Sequence, residues 1–262
     1  MEKNSLLSKF EKGEKMIGSF FTTASVVTAE IMGGLGYDFI VIDVEHGQHD
    51  FQTVESFIRA AECRNVVPIV RIVDTSRNYI LKMLDLGAMG LFLPFIKTTN
   101  EVKQAVNYAK YPPVGERGLG YGHKVGYGVD PIVNTGRLED YLEWANENTL
   151  LIPQCETVEA VKNIEEIVAI NEVTGIFIGP FDLSISMGIP GQFDNPEFVE
   201  TVERVKVVCN KARKMIFTVD GTVEGAVQKL RNGFDGILTS DTPLFMNAAK
   251  SYINNIRALN RQ

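Results

Sequence analysis

The sequence has few cysteines and no long apolar run, and both shortages restrict the kind of protein it can encode. Its three cysteines, Cys63, Cys155 and Cys209, are widely spaced and include no CxxC pair. This pattern favours reduced, packed thiols and gives no support to a cysteine-bound zinc site. No apolar stretch approaches the ~18 residues of a membrane span, and the first residues lack the apolar core of a signal peptide. We therefore expect a cytoplasmic protein without a membrane partner.

Positive charge is also scarce. Lysine and arginine total 26 against 33 aspartates and glutamates, so the formal net charge is −7. A nucleic-acid-binding protein needs a basic stripe, and this sequence has none, so we expect no nucleic-acid partner. A hydrophobic content of 45% and a charged content of 23% are ordinary for a globular protein. The length suits one large α/β domain, and we expect residues 1–262 to form it.

Strand-like and helix-like segments alternate along the chain. The predicted strands are 17–22, 39–43, 67–71, 90–96, 150–154, 175–178, 215–219 and 234–238. The predicted helices are 26–33, 51–63, 78–86, 101–109, 158–170, 196–214, 223–230 and 243–259. The strands are mostly continuous apolar runs, which is typical of parallel strands buried on both faces. About eight such units predict an α/β protein with a (β/α)8 TIM barrel and not an open doubly wound sheet.

Two acidic residues, Glu156 and Asp182, lie just past two of these strands. The C-terminal ends of all strands in such a barrel face one end of it, which we call the mouth. Two carboxylates in one mouth repel each other unless a positive group lies between them. A divalent cation with oxygen ligands is the simplest such group. The pattern therefore indicates a metal-dependent enzyme.

Three further side chains are candidates for the chemistry. His46 closes the segment Asp43-Val44-Glu45-His46 after the second strand and could act as a general acid or base, with Asp43 and Glu45 orienting it or the metal waters. Arg71 ends the third strand and should point into the mouth, where it could pair with a substrate carboxylate or an oxyanion. Asp85 lies near a helix end, where its charge opposes the helix dipole, so a paired and a solvated role are equally open.

The longest irregular stretch runs from residue 111 to about residue 134. Its segment Gly118-Leu119-Gly120-Tyr121-Gly122 lacks the flanking strand and helix of a dinucleotide-binding fingerprint, so we interpret the stretch as a flexible lid. His123 and Lys124 are weaker candidates for substrate contact. A Schiff-base mechanism would need a lysine at a strand end. No predicted strand ends in a lysine, since Lys97 lies just beyond the fourth strand, so we prefer the metal route.

These motifs together resemble the HpcH/HpaI aldolase family, the class II pyruvate aldolases. The matching segments are Asp43-Val44-Glu45-His46, Val70-Arg71, Leu84-Asp85-Leu86-Gly87, Tyr111-Pro112-Pro113, Gly115-Glu116-Arg117-Gly118, Gln154-Cys155-Glu156-Thr157 and Ile178-Gly179-Pro180-Phe181-Asp182-Leu183-Ser184. Their order and spacing agree over most of the chain. Val44, Phe181 and Cys155 depart from the family pattern, and these departures bear on the acceptor aldehyde and not on the chemistry.

The resemblance implies reversible cleavage of a 4-hydroxy-2-oxoacid to pyruvate and an aldehyde through a metal-stabilised enolate. It assigns Glu156 and Asp182 as ligands of Mg²⁺, Mn²⁺ or Co²⁺, Arg71 as the group that stabilises the enolate oxygen, and His46 with Asp85 as the acid/base dyad. It also assigns the substrate-binding residues, which are Arg71, Gln154, Phe20 as an aromatic wall, and the main-chain amides of Phe181 and Asp182.

The resemblance further implies a homo-oligomer, a hexamer built as a trimer of dimers, in which the last helix is exchanged between subunits. That helix has an apolar stripe at Phe245, Ala248, Ala249, Tyr252, Ile253 and Ile256. The alternative is that this stripe packs on its own barrel.

Other functions are compatible with the same catalytic set. A citramalyl- or malyl-CoA lyase would need a basic surface for the CoA phosphates, and none is obvious. An oxaloacetate decarboxylase, or a decarboxylase or cyclase of an oxaloacetate-derived enolate, could use the same scaffold. A non-enzymatic metal or keto-acid sensor is the least favoured alternative, because the base, the arginine and both acids are all present.

Overall fold

Eight parallel strands form a closed barrel in which each strand pairs with the next and β8 pairs with β1. We analysed a computed structural model that describes residues 2–23, 25–129 and 137–259. The strands are β1 (Met16–Phe21), β2 (Phe39–Asp43), β3 (Val67–Arg71), β4 (Gly90–Leu93), β5 (Leu150–Cys155), β6 (Gly175–Ile178), β7 (Met215–Val219) and β8 (Gly236–Ser240). The prediction of a (β/α)8 TIM barrel is therefore confirmed.

Helices surround the barrel. They are α1 (Ser5–Glu11), α2 (Val26–Leu35), α3 (Phe51–Glu62), α4 (Arg77–Leu86), α5 (Thr99–Ala109), α6 (Leu138–Asn148), α7 (Val158–Lys162), α8 (Ile164–Val168), α9 (Pro180–Ser186), α10 (Pro196–Lys211), α11 (Val223–Arg231) and α12 (Asp241–Leu259). A short 3-10 helix covers His123–Gly128. None of the helices in the described ranges is long and apolar enough to cross a bilayer.

Alternate residues of each strand enter two separate apolar cores. Along β2, Phe39 and Val41 belong to the core inside the barrel, whereas Ile40 and Ile42 belong to the core between the strands and the helices. Because successive side chains of a strand point to opposite faces, both faces of β2 are apolar. This double burial explains the continuous apolar runs of the sequence.

Helix α1 closes the end of the barrel opposite the mouth, which we call the floor. Leu6 is fully buried in the inner core, where it joins Met16 and Phe39. Asn4 caps the helix and is tied to the end of α6, because its main-chain N–H donates to Oδ1 of Asn148 at 2.7 Å and its side chain donates to the Asn148 carbonyl at 3.1 Å. Burial of one side chain and two hydrogen bonds thus seal the floor.

The predicted elements needed correction at several boundaries. The fourth strand ends at Leu93 and not at residue 96, because Pro94 offers no N–H and Phe95 has a positive φ of 53°. The helix predicted for residues 158–170 is divided at Asn163, whose side chain donates to the Lys97 carbonyl at 2.8 Å.

Further boundaries also differ. The eighth strand covers Gly236–Ser240 instead of residues 234–238, because the N–H of Phe234 is used to close α11. Helices α1, α6 and α9 were not predicted. Of the long irregular stretch at 111–134, residues 130–134 lie outside the described residues.

Substitution of Leu6 tests the role of the floor. We expect Leu6→Ala to lower the free energy of unfolding by about 2–5 kcal/mol, because it leaves a cavity in the inner core. Chemical denaturation measures this loss. The matched control is Leu35→Ala, since Leu35 is 75% exposed. Equal stability of the two variants would show that α1 contributes little to the barrel.

Candidate active site

Polar side chains that follow or end four of the eight strands, β2, β3, β5 and β6, lie at the mouth. Asp43 is the last residue of β2, and Arg71 is the last residue of β3. Glu156 directly follows β5, and Asp182 lies in the first turn of α9, just after β6. Since the strands are parallel, these four residues lie at the same end of the barrel, as the sequence predicted.

Arg71 is held in one orientation by its neighbours. Its Nε donates to Oδ1 of Asp43 at 2.9 Å, and its Nη2 donates to Oδ2 at 2.6 Å. Nε also lies 3.3 Å from Oε2 of Glu45, and the guanidinium lies 4.6 Å from the centre of the Phe20 ring. The two-point contact with a carboxylate fixes the plane of the guanidinium. Nη1 has no acceptor among the described residues, so it is free to bind a substrate oxygen.

The register of the barrel creates this ion pair, because Asp43 and Arg71 are direct partners across β2 and β3. Oδ1 of Asp43 also accepts hydrogen bonds from the main-chain N–H groups of Glu45 and His46, at 3.1 and 3.2 Å. The chain then turns tightly, and a Cβ on Gly47 would lie 2.1 Å from the Asp43 carbonyl. Asp43 therefore orients both Arg71 and the loop that carries His46.

Glu156 is almost completely buried, with 4% of its surface exposed. Its Oε1 accepts the main-chain N–H of Phe95 at 2.6 Å, and its Oε2 accepts Nε2 of Gln154 at 2.6 Å. Burial raises the pKa of this carboxyl, the two hydrogen bonds oppose that rise, and the nearby charge of Asp182 adds to it. The two hydrogen bonds therefore hold the carboxylate in one orientation.

Gln154 has an unpaired acceptor at the same place. The residue is 1% exposed, and its Oε1 is buried without a hydrogen-bond partner among the described residues. Buried polar atoms normally have a partner, so this oxygen indicates a donor that binds in the mouth. Phe20, which is 9% exposed, packs edge-on against Phe92 and Phe177 and lies beside the guanidinium of Arg71.

The protein supplies only part of a metal site. Within residues 2–23, 25–129 and 137–259, no group of three or more histidine, cysteine, aspartate or glutamate side chains could hold a metal ion. Glu156 and Asp182 are close enough that the charge of Asp182 acts on Glu156. A cation held by these two carboxylates would need further oxygen ligands from substrate and water.

The expected pairing of His46 with Asp85 does not form within one chain. His46 is exposed at the mouth, whereas Asp85 lies in the last turn of α4. The ten residues of α4 span ~15 Å, and the C-terminal ends of barrel helices lie at the floor. Asp85 instead accepts Nη2 of Arg117 at 3.0 Å. The sequence pattern gave the residue types but not the end of the barrel on which each one lies.

The glycine-rich stretch, which the sequence predicts to be a flexible lid, contacts the C-terminal end of α3 in the part that is described. His123 lies 2.6 Å from the carboxylate of Glu62, the last residue of α3, and Lys124 lies 3.4 Å from the same side chain. Both contacts are with a helix C-terminal end, so this segment packs at the floor. This placement applies to the residues of the stretch up to Val129.

Two residues at the mouth were missed by the sequence analysis. Asp241, at the start of α12, is buried and accepts hydrogen bonds from the N–H and hydroxyl groups of Thr22 and Thr23 at 2.6–3.1 Å. Phe95 contacts Glu156 through its main chain alone. Asp241 could have been identified from the sequence, because it is an acid just past a strand. The contact of Phe95 could not, because no side-chain pattern reveals a main-chain contact.

Comparison with known proteins gives consistent matches. The sequence model of the HpcH/HpaI aldolase/citrate lyase family matches residues 16–248. A 2-keto-3-deoxy-L-rhamnonate aldolase from Escherichia coli O17:K52:H18 is 34% identical over 200 residues, which cover 76% of this chain and 73% of that protein.

Solved structures agree with these matches. An HpcH/HpaI aldolase/citrate lyase family protein from Burkholderia cenocepacia J2315 has a TM-score of 0.89 at 28% identity, covering 97% of this chain and 100% of that one. The citrate synthase SbnG has a TM-score of 0.86 at 27% identity, covering 97% and 98%. The similarity to aldolases confirms the prediction of a carbon–carbon lyase. Because the family match spans most of the sequence, this chain belongs to the HpcH/HpaI aldolase/citrate lyase family.

Proposed function

We propose that this protein is a class II pyruvate aldolase that reversibly cleaves a 4-hydroxy-2-oxoacid to pyruvate and an aldehyde. The observation that carries the proposal is the guanidinium of Arg71, which Asp43 fixes in the mouth beside Glu156. A retro-aldol reaction needs a positive group where the enolate oxygen develops its charge. The similarity to the rhamnonate aldolase supports the same reaction class.

The residues of the mouth fit a divalent cation. Glu156 and Asp182 offer hard oxygen ligands, and Oε1 of Gln154 is a buried acceptor with no partner in the part of the chain that the structure describes, so a bound water or a substrate hydroxyl would satisfy it. Burial, together with the charge of Asp182, raises the pKa of the Glu156 carboxyl, and a cation bound beside it would favour its ionised form. Mg²⁺, Mn²⁺ and Co²⁺ all suit this donor set. When bound, the cation supplies a Lewis acid that polarises the keto group of the substrate.

Side chains and main-chain groups of the mouth bind the substrate, transfer the proton and stabilise the enolate. The main-chain amides of Phe181 and Asp182 lie in the first turn of α9, where a helix leaves N–H groups free, and they bind the pyruvate carboxylate. Phe20 forms the apolar wall. His46 accepts the proton of the C4 hydroxyl, directly or through water. The C3–C4 bond then breaks, the aldehyde leaves, and Arg71 stabilises the charge on the enolate oxygen.

The dyad of His46 and Asp85 forms between two chains in this proposal. The two residues lie at opposite ends of one barrel, so a second copy must bring its floor to the mouth of the first. Arg117 prepares Asp85 for this role, because it is buried over the Tyr111 ring, at 4.6 Å, and holds one carboxylate oxygen. Among the described residues, the other oxygen of Asp85 has no hydrogen-bond donor, so in this proposal it accepts a hydrogen bond from the imidazole of the second chain.

The exposure of α12 supports a homo-oligomer. Among the side chains of α12, only that of Asp241 is buried, and the apolar residues Phe245 and Tyr252 are 74% and 70% exposed. Ile17, on the outer face of β1, is 49% exposed, so this part of the barrel has no helix over it. Exchange of α12 between subunits would cover both surfaces, and a hexamer arranged as a trimer of dimers is the assembly we propose.

A substrate panel tests the reaction. We expect 4-hydroxy-2-oxoacids to release pyruvate, measured by a coupled assay, in the presence of Mg²⁺, Mn²⁺ or Co²⁺. Glu156→Gln should abolish both this release and tight metal binding in calorimetry, since it removes a ligand charge. Glu159→Gln is the control, because Glu159 is an exposed acid in the following helix. Turnover of oxaloacetate or of citramalyl-CoA but of no hydroxy-oxoacid would contradict the proposal.

Hybrid oligomers test the dyad between chains. We expect His46→Ala and Asp85→Ala each to lower turnover by roughly 10²–10⁴. Equal mixing of the two variants by co-refolding should restore about a quarter of the wild-type activity, because each site draws one residue from either chain at random. Each variant refolded alone is the control. Failure of the mixture to recover any activity would place both residues of a site in one chain.

A further inference from the structure

Phe95 has a backbone conformation that phenylalanine rarely adopts. Its φ of +53° lies in the left-handed region, which is strained for a bulky side chain. The residue follows Pro94, and a turn with proline second and a left-handed residue third normally has glycine or asparagine at the third position. Some contact that depends on the direction of the main chain at residue 95 must therefore stabilise this conformation.

Contacts of the Phe95 ring do not stabilise this conformation. The Phe95 side chain is 60% exposed, and its one aromatic or cationic contact among the described residues is with Nζ of Lys97, 4.4 Å from the ring centre. A cation over an exposed ring is a weak interaction. The ring neither fills a core nor packs against another aromatic residue, so packing does not explain the strained backbone.

The main chain after Phe95 is fixed by the segment that follows Glu156. Oγ1 of Thr157 donates to the Ile96 carbonyl at 3.2 Å, and Nδ2 of Asn163 donates to the Lys97 carbonyl at 2.8 Å. Strained dihedrals persist where the surroundings determine the chain from several sides. Here those surroundings are Thr157 and Asn163, which belong to the segment that directly follows Glu156.

This arrangement places the N–H of Phe95 in a short hydrogen bond with Glu156. The N–H of Phe95 lies 2.6 Å from Oε1, while Nε2 of Gln154 lies 2.6 Å from Oε2. With one donor on each oxygen, the carboxylate cannot rotate, and its remaining lone pairs keep one direction. Groups that orient a metal ligand in this way contribute to metal affinity.

We propose that residue 95 is a positioning residue of the metal site and acts through its main-chain N–H, which the left-handed turn aims at Glu156. The inference rests on the proposed role of Glu156 as a metal ligand. It follows that the conformational preference of residue 95, and not its ring, sets the metal affinity. Glycine adopts a positive φ without strain, whereas valine, with its β-branch, opposes it.

Titration of the metal-free protein with Mn²⁺ by calorimetry tests this inference. Phe95→Gly and Phe95→Val both remove the ring and differ in their tolerance of positive φ. We expect Phe95→Gly to bind Mn²⁺ within about twofold of the wild type, because its N–H keeps its place. Phe95→Val should bind about ten- to a hundredfold more weakly, because the turn relaxes and Glu156 loses a donor.

Two further variants make the outcome decisive. Arg213 is exposed and also has a positive φ, 55°, but it lies between α10 and β7 at the floor. Arg213→Val therefore introduces the same backbone strain away from Glu156. This variant should leave the Mn²⁺ affinity unchanged. Wild-type affinity in Phe95→Val, or equal losses in Phe95→Gly and Phe95→Val, would overturn the inference alone. Wild-type affinity in Glu156→Gln would overturn the metal assignment and this inference with it.

Discussion

The mouth of this barrel depends on the ion pair between Asp43 and Arg71. The two residues face each other across β2 and β3, and their side chains are 2% and 12% exposed. Removal of one partner from a buried pair costs about 3–5 kcal/mol, because it leaves an unpaired charge. Asp43 also accepts from the main chain of Glu45 and His46, so the same carboxylate sets the direction of the guanidinium and the course of the loop with the proposed base.

The barrel divides the proposed chemistry between its two ends. Glu156, Asp182 and Arg71 lie at the mouth, where the strand ends hold them, and in the proposed function they bind the 2-oxoacid together with a cation that polarises it. Asp85 and Arg117 lie at the floor, and the uncovered surface of α12 lies outside the barrel. In the proposed function, a single chain lacks a partner for His46 and a cover for α12, and contact between copies would supply both. Acid/base catalysis would then depend on assembly, while metal binding would depend on one chain.

The sequence predicted the parts of the site that follow from strand pattern. Glu156 and Arg71 could be placed at the mouth because each directly follows a continuous apolar run, and the end of a parallel strand has only one location in a barrel. Asp85 and His123 could not be placed in this way, since Asp85 lies in the last turn of α4 and His123 follows α5, and residue types alone do not reveal that these helix ends face the floor. The contact of Phe95 with Glu156 was also invisible, because the main-chain N–H that makes it is common to nearly every residue. The resemblance to a family implied that Asp85 acts with His46, and only the fold shows that these two residues lie at opposite ends of one barrel.

The most direct test of the account is the exchange of the C3 protons of pyruvate, because this exchange passes through the enolate and requires no aldehyde. In Arg71→Lys the point charge of an ammonium replaces the planar guanidinium that Asp43 orients. NMR should show exchange and aldol cleavage falling together by roughly a hundredfold or more, about 3 kcal/mol of transition-state stabilisation, with metal binding retained. Arg77→Lys, at an exposed position at the start of α4, is the control and should change neither rate. Normal exchange with lost cleavage would show that Arg71 contacts the aldehyde and not the enolate, and would contradict the account.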